Sequence, residues 1–342
     1  MTYGYSPNED GYDTLVDRFE RLAALGVAVL SPGTWLVDVF PILKHLPEGC
    51  PGTGFAEAIR DVTTHWEYIC EVLYRFVQKQ MEHGTHSPSF VSTSLEGRPH
   101  GEYQSKLSAK DEDEALKATA AVMYVAAVET TSITLKAIVL AMIKFPEVQR
   151  KAQEEIDKVV GSDRLPGFED QENLPYVTAI VTEALRWWPA FPMGLAHMAS
   201  QDFIARGHTI PKGAFILPAV YWFTHDPEVY RDPDRFDPER YGRGEPDARQ
   251  VIFGYGRRIC PGRHFADSSL YISAVRLLAA FTLSKAVDED GNEIEPRPSE
   301  RPGITLRMDP FPFKITPRSA KHAELVERSC QVDNGNGTHA GR

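Results

Sequence analysis

Apolar residues recur at helical spacing over residues 12–25 and again, for longer, over residues 55–81, where a His/Gly/Pro loop at 83–88 ends the pattern. Between them, Ser31, Pro32 and Gly33 break the apolar stretch 25–43, and Asp38 lies inside it, so no membrane-spanning helix is expected there. The next segment is the longest. Ser108 and Asp111 have capping-box spacing, residues 111–114 are acids suited to the positive end of a helix, and helical composition then continues to Phe145, ahead of Pro146. That is roughly 35 residues, or about 50 Å of helix at 1.5 Å per residue. Its middle, residues 118–127, is apolar on every face and predicts a path through the centre of the protein. Pro146 opens another helix that ends near Gly161, and Pro175 opens a third that Pro189 stops.

Beyond Pro189 the period changes. Short β-rich runs at 203–205, 209–210 and 214–217 predict strands, with a turn at Arg206 and Gly207. A proline- and acid-rich meander covers 226–243, a helix is expected from Pro261 to about Phe281, and strands are expected at 304–308 and 313–316. The end of the chain from about Arg318 is polar and reads as a disordered tail.

Composition narrows the class. The chain has 342 residues, is 42% hydrophobic and 25% charged, and can bury a large core. A net charge of −11, with no long basic stretch, argues against nucleic-acid binding. The four cysteines, Cys50, Cys70, Cys260 and Cys330, have neither disulfide-framework nor zinc spacing, which fits a reducing, intracellular setting. His45, His65, His83 and His86 lack partners at metal spacing and read as surface histidines. No signal peptide or anchor is evident.

One stretch carries chemistry, FGYGRRICPG at 253–262. Cys260 would precede a helix whose N–H groups and dipole favour a thiolate, with Pro261 suited to the first helical position. Gly254, Gly256 and Gly262 remove side chains where a flat group could approach the backbone, and Arg258 could pair with an anionic group of the same ligand. A lone cysteine after a turn more often packs in a core. Three glycines and two arginines are poor core material, and together they describe an axial thiolate to haem.

These ten residues resemble the haem-binding signature of the cytochrome P-450 family, F-x-x-G-x-R-x-C-x-G, at every fixed position, including Phe253, Gly256, Arg258, Cys260 and Gly262. Glu183 and Arg186 resemble the family's E-x-x-R pair, whose i, i+3 spacing puts both side chains on one helix face. Residues 236–241 resemble its F-x-P-E-R-F meander, with Tyr241 for the last Phe and Arg240 completing a Glu-Arg-Arg triad. Residues 126–131, AAVETT, resemble the oxygen-activation motif, with Glu129 and Thr130 as the acid and alcohol that relay protons and Ala127 in place of the usual Gly.

The resemblance implies a mainly α fold with small β-sheets, the cytochrome P-450 fold without its N-terminal portion (anchor, first strands and early helices). It implies that 1–317 is the C-terminal two-thirds of a single catalytic domain, followed by the tail at 318–342. It implies a monooxygenase with haem b held by the Cys260 thiolate, with His197 and Arg258 near the propionates. Dioxygen would be the oxidant and a hydrophobic small molecule the substrate, which would be hydroxylated or epoxidised. Electrons would come from NADPH through a flavoprotein reductase. Substrate contacts are implied at 122–128, 190–195 and 304–305, among them Val122, Ala126, Met193 and Ile304. The four arginines at 249–264, with no acid among them, would give the reductase a basic docking face. His197 and the turn at 211–213 are similar to fungal secondary-metabolism members, whose microsomal relatives are anchored in the endoplasmic reticulum membrane facing the cytosol. The alternatives are a haem-binding remnant without turnover and a partner-binding fragment.

Overall fold

The computed structural model describes residues 1–7, 13–30, 33–47, 49–97, 108–298, 300–301 and 303–336. Ser31 and Pro32, expected to break the first apolar stretch, lie outside them. The packing divides into two compact units, Met1–Glu129 and Thr130–Arg342. The boundary falls inside one continuous helix, where the sequence offers no linker to mark it.

Unit 1 is helical. Helix α1 (Thr14–Leu30) packs on α3 (Gly54–Glu82), and a short α2 (Leu36–Val39) and a 3-10 turn (Pro41–His45) connect them. The helical spacing put α3 within a residue of its observed ends. Helix α4 (Phe90–Glu96), which the periodicity did not predict, starts at a capping box: Ser92 N–H donates to Ser89 Oγ (3.1 Å), and Ser89 N–H donates to Ser92 Oγ (2.9 Å). The core joins Leu15, Phe19 and Leu22 of α1 to Ile69, Leu73 and Val77 of α3, and Ala120 of α5 (Ala109–Lys144) closes it. Among the described residues no His/Cys/acid cluster could hold a metal. His86 is half-buried and bonded to Glu96 (2.9 Å), so it is not a plain surface histidine.

Helix α5 starts as its acids predict. Ser108 Oγ accepts from Asp111 N–H (3.2 Å) and donates to the Asp111 carboxylate (2.7 Å). Its apolar middle departs from expectation. Ala120 and Ala121 are buried, whereas Ala118, Val122, Met123 and Ala126 are exposed. An all-apolar surface permits burial on every side, but the other helices of unit 1 cover only one face. By length and composition α5 is the one helix among the described residues apolar enough to cross a membrane, yet its last turns belong to the core of unit 2.

Unit 2 begins with the rest of α5, then α6 (Pro146–Val159) and α7 (Pro175–Trp187), both with proline in the first turn where its missing N–H costs nothing. Small antiparallel sheets follow. Strand β1 (His197–Met198) pairs with β4 (Phe215–Ile216), and β2 (Phe203–Ala205) pairs with β3 (His208–Ile210). Then come α8 (Val220–His225), a 3-10 turn (Pro238–Arg243), α9 (Arg249–Ile252) and α10 (Arg263–Ala280). Strand β5 (Phe281–Val287) continues directly from α10 and sits between β6 (Glu293–Ile294) and β9 (Phe313–Pro317); β7 (Glu300–Arg301) pairs with β8 (Arg307–Met308). The core lies between α5, α6, α7 and α10, around Ile138, Val181, Leu185 and Leu278. Buried Gln149 on α6 secures β5, because its amide donates to Leu283 O (2.9 Å) and accepts from Leu283 N–H (2.7 Å).

The tail differs from expectation. Residues 320–336 form α11 (Ala320–Asn336), with Leu325 buried and Arg318, just before it, bidentate to Asp157 (2.9 and 2.6 Å). A polar segment folds here because one apolar residue and a tethering ion pair dock it on α10, which composition cannot reveal. The remainder, 337–342, lies outside the described residues.

Candidate active site

Helix α7 places Glu183 and Arg186 on one face, as i, i+3 spacing requires, and the meander brings Arg240 to them. All three side chains are 0% exposed. Glu183 Oε1 accepts from Arg186 Nη2 (2.9 Å), Arg240 Nε (3.0 Å) and the Asp237 N–H (2.9 Å). Its Oε2 accepts from Arg186 Nε (2.9 Å) and the Tyr241 hydroxyl (2.9 Å). Arg186 also reaches the carbonyls of Thr224 (2.9 Å) and Arg235 (3.2 Å), which ties the helix to α8 and the meander. Arg240 donates to Arg231 O (2.9 Å) and to Glu245 Oε2 (2.5 Å).

Glu183 and Glu245 thus balance Arg186 and Arg240, so the buried cluster is neutral. Burial works against the Arg240 charge, but the Glu183 and Glu245 carboxylates outweigh it and hold its pKa above the ordinary value. Burial, and then Glu183, push the Tyr241 hydroxyl far above its usual range, so it stays a donor. Two members escape a reading of the sequence. Glu245 lies among several meander acids that spacing cannot rank, and the Tyr241 hydroxyl is visible there only as a departure from Phe.

The cysteine loop is built differently. Phe253 anchors it against the main core, and Cys260 N–H returns to Phe253 O (2.7 Å), which closes the loop. Gly254 (φ 78°) and Gly256 (φ 57°) adopt the left-handed conformation, so these two glycines serve the turn itself. Gly262 has ordinary φ, and a Cβ there would sit 3.9 Å from Cys260 Sγ, in plain contact with the sulfur. Cys260 is a free, half-exposed cysteine, flanked by exposed Arg257, Arg258 and Ile259.

Two expectations about this loop change. Helix α10 starts at Arg263 with Gly262 as its cap, so Pro261 is not its first residue and Cys260 lies outside the first turn. The dipole effect fades within one turn, which weakens the reason for a thiolate. The basic face also shrinks. Arg249 is bidentate to Asp247 (2.9 and 2.6 Å), an acid just outside the 249–264 stretch, and Arg263 turns toward Cys260 O (3.4 Å). Arg257 and Arg258 form no ion pair with any described residue and remain exposed.

Of the implied substrate segments, those in unit 2 come together. Leu306 N–H donates to Ala190 O (2.8 Å), and the Trp188 indole donates to Leu306 O (2.8 Å), so residues 304–306 run beside 188–190. Ile133 and Ala137 of α5 pack into the same cluster with Trp188 and Met308, one turn beyond Thr130, whose carbonyl accepts from Thr134 Oγ1 (3.1 Å). Met193 is exposed on the 191–195 loop, where Gly194 is held at φ 57° against the Pro218 ring. Ile304 is half-buried, and His197 is exposed in β1 opposite Ile216. Val122, Ala126 and Glu129 lie on the α5 part of unit 1, where Val122 and Ala126 are exposed.

A fold of helices with small sheets, a Glu-Arg-Arg knot and a cysteine loop define a haem-thiolate protein class, and comparison gives the same answer. The cytochrome P-450 family model matches residues 17–315, and the chain belongs to that family. It is 44% identical to a multifunctional cytochrome P-450 monooxygenase (af510) of Aspergillus fumigatus over 96% of this chain and 62% of the relative. Identity is also 44% to the monooxygenase CLM2 of Gibberella zeae, over 98% of this chain and 64% of the relative. It is 36% to the O-methylsterigmatocystin oxidoreductase of Aspergillus flavus, over 98% and 62%. The chain therefore spans a little over three fifths of the length of these relatives.

Proposed function

We propose that this chain carries the haem-thiolate chemistry of a fungal monooxygenase that puts one atom of dioxygen into a hydrophobic small molecule and releases the other as water. The observation that carries this reading is the contrast at the loop, where a rigid, neutral knot lies in the same unit as a half-exposed, unpaired thiol. The donor chemistry fits haem, since a cysteine thiolate is an established ligand of haem iron and the free, half-exposed Cys260 would supply it. When bound, haem supplies the redox chemistry of dioxygen, and a thiolate ligand pushes electron density that promotes O–O cleavage.

The chain's own residues do the rest. Phe253 and the Cys260–Phe253 backbone bond hold the sulfur, Arg258 would offer a cation to the propionates, and His197 is a second candidate for a hydrogen bond to them. Glu129 and Thr130, adjacent on α5, move protons toward the reacting oxygen, with Thr130 Oγ1 as the last donor. Within unit 2, Ala190 and Ile304, with Met193 on the adjoining loop, give an apolar lining that favours an apolar substrate and orients it by shape. NADPH-derived electrons arrive through a flavoprotein reductase, with Arg257 as the exposed cation for its docking. The name of one relative, the O-methylsterigmatocystin oxidoreductase, supports a secondary-metabolite substrate.

The test is the carbon monoxide difference spectrum of the haem-supplemented, reduced protein. A strongly red-shifted Soret band is expected, and a band typical of a neutral ligand would overturn the thiolate assignment. Thr130→Ala should keep that band while product formation falls by about 10-fold or more, the usual scale for a proton-transfer group. Full activity in this variant would remove Thr130 from the mechanism.

A further inference from the structure

Arg249 opens α9 on one side of the cysteine loop, and Asp267 lies in the second turn of α10 on the other. Asp247 already occupies one flank of the Arg249 guanidinium. Nε lies 3.0 and 2.9 Å from its two carboxylate oxygens, Nη2 lies 2.6 Å from Oδ2, and the Arg249 N–H donates to Oδ1 (2.9 Å). The remaining nitrogen, Nη1, lies 3.6 Å from Asp267 Oδ1. That is too long for a hydrogen bond and short enough for strong attraction. Asp267 Oδ1 is buried and accepts no hydrogen bond from any described residue.

A carboxylate oxygen left this way is costly, so its placement calls for a compensating partner, and the Arg249 charge is the partner at hand. Burial, with the nearby Asp247 carboxylate, holds the Asp267 carboxyl pKa above its ordinary value, and the Arg249 charge offsets only part of that rise. The loop is thus closed twice. The Cys260–Phe253 backbone bond joins its inner ends, and the Arg249–Asp267 pair spans its outer stems.

We propose that Arg249 and Asp267 form a clamp across the base of the cysteine loop, and that Asp267 is a positioning residue that acts through Arg249 to hold Cys260 in place. The functional half of this inference rests on the reading of Cys260 as the iron ligand. Arg249 is then an internal strut, removed from any docking face.

The test has two arms. In the haem-free chain, iodoacetamide alkylation of Cys260 is followed by peptide mapping, and amide hydrogen exchange is measured in residues 253–262 and in α7. Asp267→Asn and Arg249→Gln should each raise Cys260 alkylation and loop exchange roughly threefold, the scale on which a half-exposed ion pair shifts a local opening. Exchange in α7 should not change, and Asp267→Glu should restore the original rates. Unchanged rates in both variants, or α7 opening in step with the loop, would overturn the clamp. In the haem-supplemented protein, the same two variants should lose the red-shifted carbon monoxide band faster than the unaltered chain. If the unaltered chain lacks that band, the ligand reading and the clamp's functional role both fall, whatever the alkylation rates show.

Discussion

Around Glu183, five donors converge on two oxygens with no exposed side-chain surface, whereas around Cys260 one backbone bond and one ion pair hold a loop whose side chains largely face outward. Both regions carry charge or potential charge, yet they handle it in opposite ways. Charges taken out of water must be paired and saturated, because a missing partner leaves an uncompensated ion. A group that must bind something else has to keep its reactive atom open, and its support then comes from backbone geometry. The knot is saturated and closed to solvent, and the loop leaves its sulfur open.

The contrast between knot and loop predicts a graded series of stability effects. Glu183→Gln would leave two buried guanidinium groups facing one acid and should cost about 3–5 kcal/mol, read by urea denaturation. A loss under about 1 kcal/mol would mean the knot is hydrated in solution. Tyr241→Phe removes one of five donors to Glu183 and should cost about 1 kcal/mol. Gly254→Ala forces a side chain onto φ 78° and should cost about 1 kcal/mol, whereas Gly262→Ala, at ordinary φ and with its Cβ at ordinary contact distance from Cys260 Sγ, should cost less. Cys260→Ser should change stability by no more than about 0.5 kcal/mol while abolishing the thiolate spectrum. A large loss there would show that the loop is part of the framework.

A pH titration sharpens the same contrast. Burial pushes Tyr176 and Tyr271 up to about 12, and Tyr241 higher still. The unfolded tyrosines ionise near pH ~10 while the folded ones stay protonated. The unfolded state then binds fewer protons, so stability is full below pH ~10 and falls as pH rises through the folded pKa values. Tyr241→Phe should flatten part of that alkaline decline, measured by thermal melts from neutral to high pH.

Much of this architecture is legible in the amino-acid sequence. Proline at the first helical turn places α6 and α7, and i, i+3 spacing places Glu183 beside Arg186. Strand β5 is missed because it continues from α10 without a turn residue, and α11 is missed because its docking depends on Arg318 and Asp157, far apart in sequence. The start of α10 is misplaced by two residues, since Pro261 suits the first helical position equally well in a plain turn.

By itself the sequence determined the periodic elements, the family signature and the residue types able to bind haem, because these depend on local spacing and on chemistry that each side chain carries with it. Tertiary structure alone decided which acid neutralises Arg240, which arginine braces the loop instead of facing solvent, and which face of α5 is covered. Those outcomes depend on distances between segments remote in the chain, and electrostatic and packing energies fall off too steeply with distance to be read from order alone.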